Sequence, residues 1–339
     1  MNFSRIALWL GLFLLLAFGI DLLSGSSSFG IAGVWQALKA GPGVNNSAIT
    51  AAQEVIWQIR LPRVLAALLA GSVLAVSGFQ MQTLFRNPLA GPYELRLSAG
   101  AGVGVACFVL LGWQGPSFLS QAGMLGAASL GALAVMVLLV VLAPLLRNTA
   151  ALLLAGLLLS SGLGALIAGM QAFSGAEALQ SFVNWTLGSV GGVTWEQLAW
   201  LGPVCFLGLL AAAIGTKALT ALMLGEDEAR TLGSRVLLTR LGTAACAGIL
   251  AAAVTAFCGP VAFIGLGMPH VARWILGRTD PRALIPGSAL LGAIALLLCD
   301  ALSQTIIPGR VLPINVVVSA LGAPLALLLL LHYQRRSDS

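Results

Sequence analysis

Ten apolar runs, each close to the length that crosses a bilayer, follow one another along this chain. They occupy residues 4–23, 61–80, 93–112, 121–146, 149–170, 195–216, 238–258, 261–276, 284–307 and 312–332, separated by polar clusters and Gly/Pro breaks. A spanning helix needs about 20 predominantly apolar residues, and in lipid every backbone N–H and C=O must be bonded inside the structure. The pattern therefore reads as an all-α integral membrane bundle of about ten transmembrane helices. The eighth run is short and carries Gly265, Gly267 and Pro269, so its borders are the least sharply drawn. Only 8% of residues are charged, against about 25% in soluble domains. That leaves no room for a soluble domain, and residues 1–339 read as one transmembrane domain in a lipid bilayer.

The basic residues orient the bundle, because cytoplasmic loops carry an excess of Lys and Arg. With ten spans and both termini cytoplasmic, the inner side holds Arg5, Arg86, Arg96, Arg147, Lys217, Arg230, Arg235, Arg240, Arg273, Arg278, Arg282, Arg335 and Arg336. The outer side keeps Lys39, Arg60, Arg63 and Arg310. This split, 13 against 4, accounts for the net charge of +6 without a nucleic-acid partner. The first run resembles a signal peptide, but Leu22-Leu23-Ser24-Gly25-Ser26 is a poor cleavage site, and it reads as a retained span.

One stretch breaks the apolar pattern. Residues 217–240 hold seven charges (Lys217, Glu226, Asp227, Glu228, Arg230, Arg235 and Arg240) between the sixth and seventh spans. A connector needs only a turn there. Glu226, Asp227 and Glu228 suit a helix N-terminus, with Arg230 following. Ala229 and Leu232 lie three apart on one helical face, bracketed by Gly225 and Gly233. The stretch reads as cytoplasmic helices shaped to contact something outside the membrane, with a partnerless solvated loop as the plainer reading.

Several function classes find no support. No Gly-x-x-x-x-Gly-Lys-Ser/Thr occurs, so ATP binding through a P-loop is not expected of this chain. The five cysteines fall in apolar runs with no C-x-x-C pair, and no metal site or bound cofactor is expected. A membrane enzyme would want clustered His, Asp or Glu, and there are two distant histidines. An ion-driven secondary transporter usually shows ionisable groups in mid-span, and these spans are nearly bare of them. Arg63 to Gly78 and Arg240 to Gly259 read alike, and the topology runs them in opposite senses, as inverted repeats do. Small residues such as Gly156, Ser160, Ser161, Gly162 and Gly164 let helices approach closely; Ser160, Ser161 and Gly164 are also candidates to line a substrate path.

Ordered blocks then carry a resemblance. Arg60-Leu-Pro-Arg63 opens the second span. Arg86-Asn-Pro-Leu-Ala-Gly-Pro92 and Leu97-Ser-Ala-Gly-Ala-Gly102 follow. Cys258-Gly-Pro-Val-Ala-Phe-Ile-Gly-Leu266, Met268-Pro-His-Val-Ala-Arg273, Leu312-Pro-Ile-Asn-Val-Val317 and Leu321-Gly-Ala-Pro324 complete the series. In this order they resemble the permease subunits of ATP-driven importers for iron-siderophore, haem and cobalamin, over roughly residues 59–331. The resemblance implies a bacterial inner-membrane homodimer with its translocation path at the dimer interface. Two cytoplasmic ATPase subunits, which use the ATP and Mg²⁺, and a periplasmic substrate-binding protein are the implied partners.

In such permeases the counterpart of the charged stretch seats in the ATPase, which points to Gly225, Glu226, Ala229, Arg230, Leu232 and Gly233. Outward arginines of the family pair with acids of the binding protein, which points to Arg60 and Arg63; lipid phosphate anchoring or a pair with Glu54 is the alternative. Gln304 stands where many relatives have a further arginine, and Arg310 is the substitute. Asn184-Trp-Thr-Leu-Gly-Ser189 falls near the family's outer gate, so Trp185 is either a gate residue or an interfacial anchor. Asp300 reads as a structural hydrogen-bonding group and His270 as an inner-face packing residue. Glu94 and Arg96 depart from the family pattern, with a local ion pair as one reading. Haem or ferric siderophore is expected ahead of cobalamin on family breadth alone.

Overall fold

A computed structural model describes residues 3–25, 29–42, 50–93, 97–112, 117–142, 145, 149–225 and 235–337. Among them the secondary structure is entirely helical. The helices are α1 (Phe3–Leu23), α2 (Gly30–Ala40), α3 (Thr50–Glu54), α4 (Leu61–Leu84), α5 (Leu97–Leu110), α6 (Ser117–Leu142) and α7 (Thr149–Ala172). Then come α8 (Ala176–Thr186), α9 (Trp195–Ile214), α10 (Thr216–Leu224), α11 (Val236–Cys258), α12 (Ile264–Leu276), α13 (Pro281–Thr305) and α14 (Ile314–Ser337). Each of the ten apolar runs coincides with one of these. Among the described residues, seven helical stretches are long and apolar enough to cross a membrane, while α5, α12 and α14 offer shorter apolar lengths.

Three helices form the centre. In the most apolar stretches of α4, α11 and α13, 83%, 72% and 72% of residues are buried. Helix α4 packs most extensively on α13 and α11. Lipid is as apolar as leucine, so close backbone approach rather than water exclusion holds such helices together. Gly71 of α4 and Gly292 of α13 face each other so closely that a Cβ on either would lie 2.2 Å from the other's carbonyl oxygen. A Cβ on Gly78 would stand 1.8 Å from the carbonyl oxygen of Gly265 in α12. Polar bonds add to these contacts: Ser77 Oγ donates to the Ala247 carbonyl at 2.8 Å, joining α4 to α11.

The second span extends further than the sequence suggests. Residues 51–84 form one continuous helical stretch, with a π-helical turn over Val55–Arg60 leading into α4. Pro62 accounts for the irregularity. It has no N–H to continue the i to i−4 ladder, and the wider π turn takes up the mismatch just before it. Pro88 and Pro92, and Gly259 with Pro260, likewise lie in the breaks that follow α4 and α11.

Candidate functional site

Helix α7 is the least covered of the spanning helices. Only 6% of the residues in its Leu154–Ala172 stretch are buried, although the segment is apolar enough to span. Leu154, Leu157, Leu158 and Leu166 are all exposed large side chains. Ser161 is exposed and its hydroxyl donates to the Leu157 carbonyl at 3.0 Å, leaving its lone pairs open. Ser160 is half-buried, and Gly164 is exposed with nothing within 4 Å of where a Cβ would sit. No residue between Thr149 and Ala172 is ionisable. A helix this bare offers a smooth uncharged face, with hydroxyls and no fixed charge.

Beside it, α8 holds Trp185 in an internal position. The indole N–H is shared between the Thr255 and Ala256 carbonyls at 3.0 and 2.9 Å, at the end of α11. Its ring packs on Phe182 with centroids 5.4 Å apart. This is an inter-helix tie, and the lipid-anchor reading of Trp185 does not describe it. The same segment is pinned further: Ser189 N donates to the Cys258 carbonyl (2.8 Å) and Ile314 N to that of Gly188 (3.3 Å). Gly188 takes φ +74, a value that favours glycine, and so does Gly259 at φ +72. A Cβ on Gly259 would meet the Trp185 carbonyl oxygen at 2.2 Å. Helix α8, the end of α11 and the start of α14 thus meet at one locus. Gly102 of α5 brings α7 into it, since a Cβ there would touch Ile167 at 3.6 Å and Trp185 at 3.8 Å.

The arginines expected to reach outward turn inward. Arg63 is buried and forms a two-pronged pair with Asp300: Nε to Oδ2 at 2.7 Å and Nη2 to Oδ1 at 2.8 Å. Its Nη2 also donates to Ser303 Oγ at 3.3 Å. Arg60 is buried too, donating to the Leu22 and Leu23 carbonyls at 3.1 and 3.2 Å and lying over the Phe29 ring. Both guanidiniums are thus committed inside the protein, because at these positions a bare cation would be stranded in low dielectric. The pair with Glu54 is replaced by the pair with Asp300. Of the three expected docking arginines, only Arg310 is exposed.

Asp300 has the structural role expected of it, within a larger network. Gln304 Nε2 donates to Asp300 Oδ2 (3.1 Å) and to Asp21 Oδ1 (3.0 Å), tying α1 to α13. Asp21 is 1% exposed and was not singled out from the sequence; its signal is an ionisable residue near the end of the first span. Asn315 was likewise missed as a tie: its Oδ1 accepts from Ala262 N at 3.2 Å.

At the opposite end, His270 Nε2 donates to the Pro88 carbonyl at 2.7 Å. The bond ties α12 to the Arg86–Pro92 turn, in line with a packing histidine. Gly225 ends α10 at φ +146. Glu226, Ala229, Arg230, Leu232 and Gly233, like Glu94 and Arg96, lie outside the described residues.

Comparison with known proteins decides the class. A family model described as the FecCD transport family matches residues 13–332. The chain belongs to the FecCD transport family. It is 42% identical over 280 residues, 83% of this chain and 84% of the relative, to the vitamin B12 import system permease protein BtuC of Salmonella arizonae. BtuC of Salmonella typhi and of Escherichia coli O157:H7 match to the same extent. A solved transporter described as of metal-chelate ABC type, in an inward-facing conformation, superposes with a TM-score of 0.81 at 28% identity, covering 98% of this chain and 99% of its own. This FecCD protein is therefore the membrane permease of an ABC importer, a multi-pass inner-membrane protein distinct from the subunit that hydrolyses ATP.

Proposed function

We propose that this permease imports a corrinoid of the vitamin B12 class, as a homodimer whose translocation path runs between two copies of α7. The bareness of α7 carries the reading. A spanning helix with 6% of its residues buried is the one most in need of a partner surface. Its leucines suit a second copy, and its small residues suit a passage. Ser160, Ser161 and Gly164 line that path, with Trp185 holding the outer locus where α8, α11 and α14 meet.

The cargo assignment rests on two observations. The 42%-identical relatives are vitamin B12 permeases, which moves cobalamin ahead of the haem and ferric siderophore expected from family breadth. The α7 face also has no cation to meet a carboxylate. Unpaired charge is costly away from water, so a bulky chelate edged with neutral amides passes more readily than one carrying free carboxylates.

In this reading ten spans place both termini in the cytoplasm, and the copies beginning at Arg63 and Arg240 form an inverted repeat. Two ATPase subunits bind residues 217–240 through Gly225, Glu226, Ala229, Arg230, Leu232 and Gly233. A periplasmic binding protein docks above, with Arg310 offering a planar fork to its carboxylates. ATPase activity of the assembled complex, measured with binding protein loaded with cobalamin, haem or ferric siderophore, tests the cargo. Cobalamin should stimulate most. Equal or greater stimulation by a ferric siderophore would overturn the choice.

A further inference from the structure

Two guanidiniums at the inner end of the bundle are not among the path, gate or coupling residues named above. Arg86 and Arg273 line one cavity of about 360 Å³, shared with Gln82, Thr83, His270 and Met223. It lies between the end of α4, the end of α10 and the last turns of α12. No carboxylate among the described residues lines it.

The walls are held firmly. Arg273 Nη1 donates to Gln82 Oε1 at 2.9 Å, and Gln82 Nε2 donates to the Leu266 carbonyl at 3.0 Å. The Arg273 guanidinium also lies over the Phe79 ring, 5.6 Å from its centroid. One face and one nitrogen of Arg273 are thus occupied, and its remaining N–H donors are left for something else.

Among the described residues, Arg86 is one of two non-glycine residues with positive φ, at +46. Such a conformation is disfavoured for a residue with a Cβ, and here it is kept by bonds from Arg86 N to the Thr83 carbonyl and Asn87 N to the Gln82 carbonyl. Between the lining residues Arg86 and Pro88, buried Asn87 has an Nδ2 donor with no partner among the described residues. Two cations and spare N–H donors around one cavity repel each other unless an anion joins them.

We infer that this cavity binds a phosphate group through Arg86 and Arg273. Arginine's fork matches phosphate oxygens in pairs, and basic pockets between membrane helices on the cytoplasmic side hold lipid head groups. The group comes from an anionic phospholipid or from free phosphate. The surroundings favour the lipid. Trp274, next to Arg273, is 85% exposed, and tryptophan belongs at the level of the head groups. Met223 is an exposed apolar side chain at the cavity edge. A phosphate there would join α4 to α12 beside Met223, within the 217–240 stretch.

The test uses the full-length permease, purified in detergent and stripped of lipid. Native mass spectrometry reads retained phosphatidylglycerol against phosphatidylcholine, and thermal stability is read with 10-fold steps of inorganic phosphate. Phosphatidylglycerol should be retained at least about tenfold better than phosphatidylcholine, and Arg86→Gln or Arg273→Gln should remove that preference (tenfold corresponds to about 1.4 kcal/mol). Stabilisation by phosphatidylglycerol without inorganic phosphate assigns the lipid source; equal stabilisation by inorganic phosphate, lost in the same variants, assigns free phosphate. Both outcomes support the site. If Arg273→Gln does not fold, exposed Arg86 keeps the test. Equal retention of the two lipids with no response to phosphate overturns the inference. So do variants that bind both as wild type does but lose the ATPase subunits, since the cavity then receives a protein carboxylate.

Discussion

Asp300→Asn is the most informative single change, because it separates an internal role for Arg63 from an outward one. The substitution keeps volume and planarity, so it opens no cavity; it removes the charge and replaces one acceptor oxygen with an NH2 donor. Of two charge-assisted bonds of 2.7 and 2.8 Å, one is lost and the other weakened, around a carboxylate that is 1% exposed. Hydrogen bonds to charged groups contribute roughly 1.5–3 kcal/mol each, and breaking a buried pair by removing one partner costs about 3–5 kcal/mol. Asp21 stays within electrostatic reach of Arg63, which places the expected loss near the lower end, about 3 kcal/mol. Unfolding of the purified protein by sodium dodecyl sulfate titration, followed by circular dichroism, reads this directly. Arg63→Met with Asp300→Leu should recover most of the loss, since an apolar pair of similar volume replaces a buried ion pair at little cost. The reasoning is refuted if Asp300→Asn keeps stability within about 1 kcal/mol of wild type while abolishing stimulation by the binding protein. Arg63 would then act outward after all.

Other predictions address packing, the dimer and coupling. Gly78→Ala should reduce the yield of folded protein and cost about 3 kcal/mol or more, since its Cβ would meet the Gly265 carbonyl oxygen at 1.8 Å. Gly126→Ala has open space and should leave fluorescence-detected size-exclusion profiles unchanged. In a background where exposed Cys107 is replaced by serine, Gly164→Cys should give a covalent dimer on a non-reducing gel after oxidation. Ala229→Arg or Leu232→Arg should release the ATPase subunits from affinity-purified permease by at least tenfold while the permease keeps its elution volume.

The sequence conveyed which segments form apolar helices and much less about what each one faces. Helices α4 and α9 are equally apolar, yet 83% of the residues of one are buried and 22% of the other's. Hydropathy measures transfer out of water, and a lipid neighbour and a protein neighbour satisfy it alike. That is why the exposure of α7 could not be read in advance, although Ser160, Ser161 and Gly164 could be picked out by size. Arg60 and Arg63 were legible as anomalies of charge. Their partners were not, because Asp300 lies 237 residues away from Arg63 and only folding brings it near. The ties of Trp185 and His270 run to backbone carbonyls, which have no side-chain signature. By contrast, the break after α4 was visible in Asn87-Pro88, because proline states its backbone geometry in the sequence itself.

The central claim is ATP-driven import of a corrinoid through this chain. Uptake of labelled cobalamin into proteoliposomes, containing the permease with its ATPase subunits and supplied with the binding protein, tests it most directly. The account predicts accumulation that requires ATP inside the coupling compartment and persists when ion gradients are collapsed. Cobalamin uptake that follows an imposed ion gradient and proceeds without the ATPase subunits would contradict it.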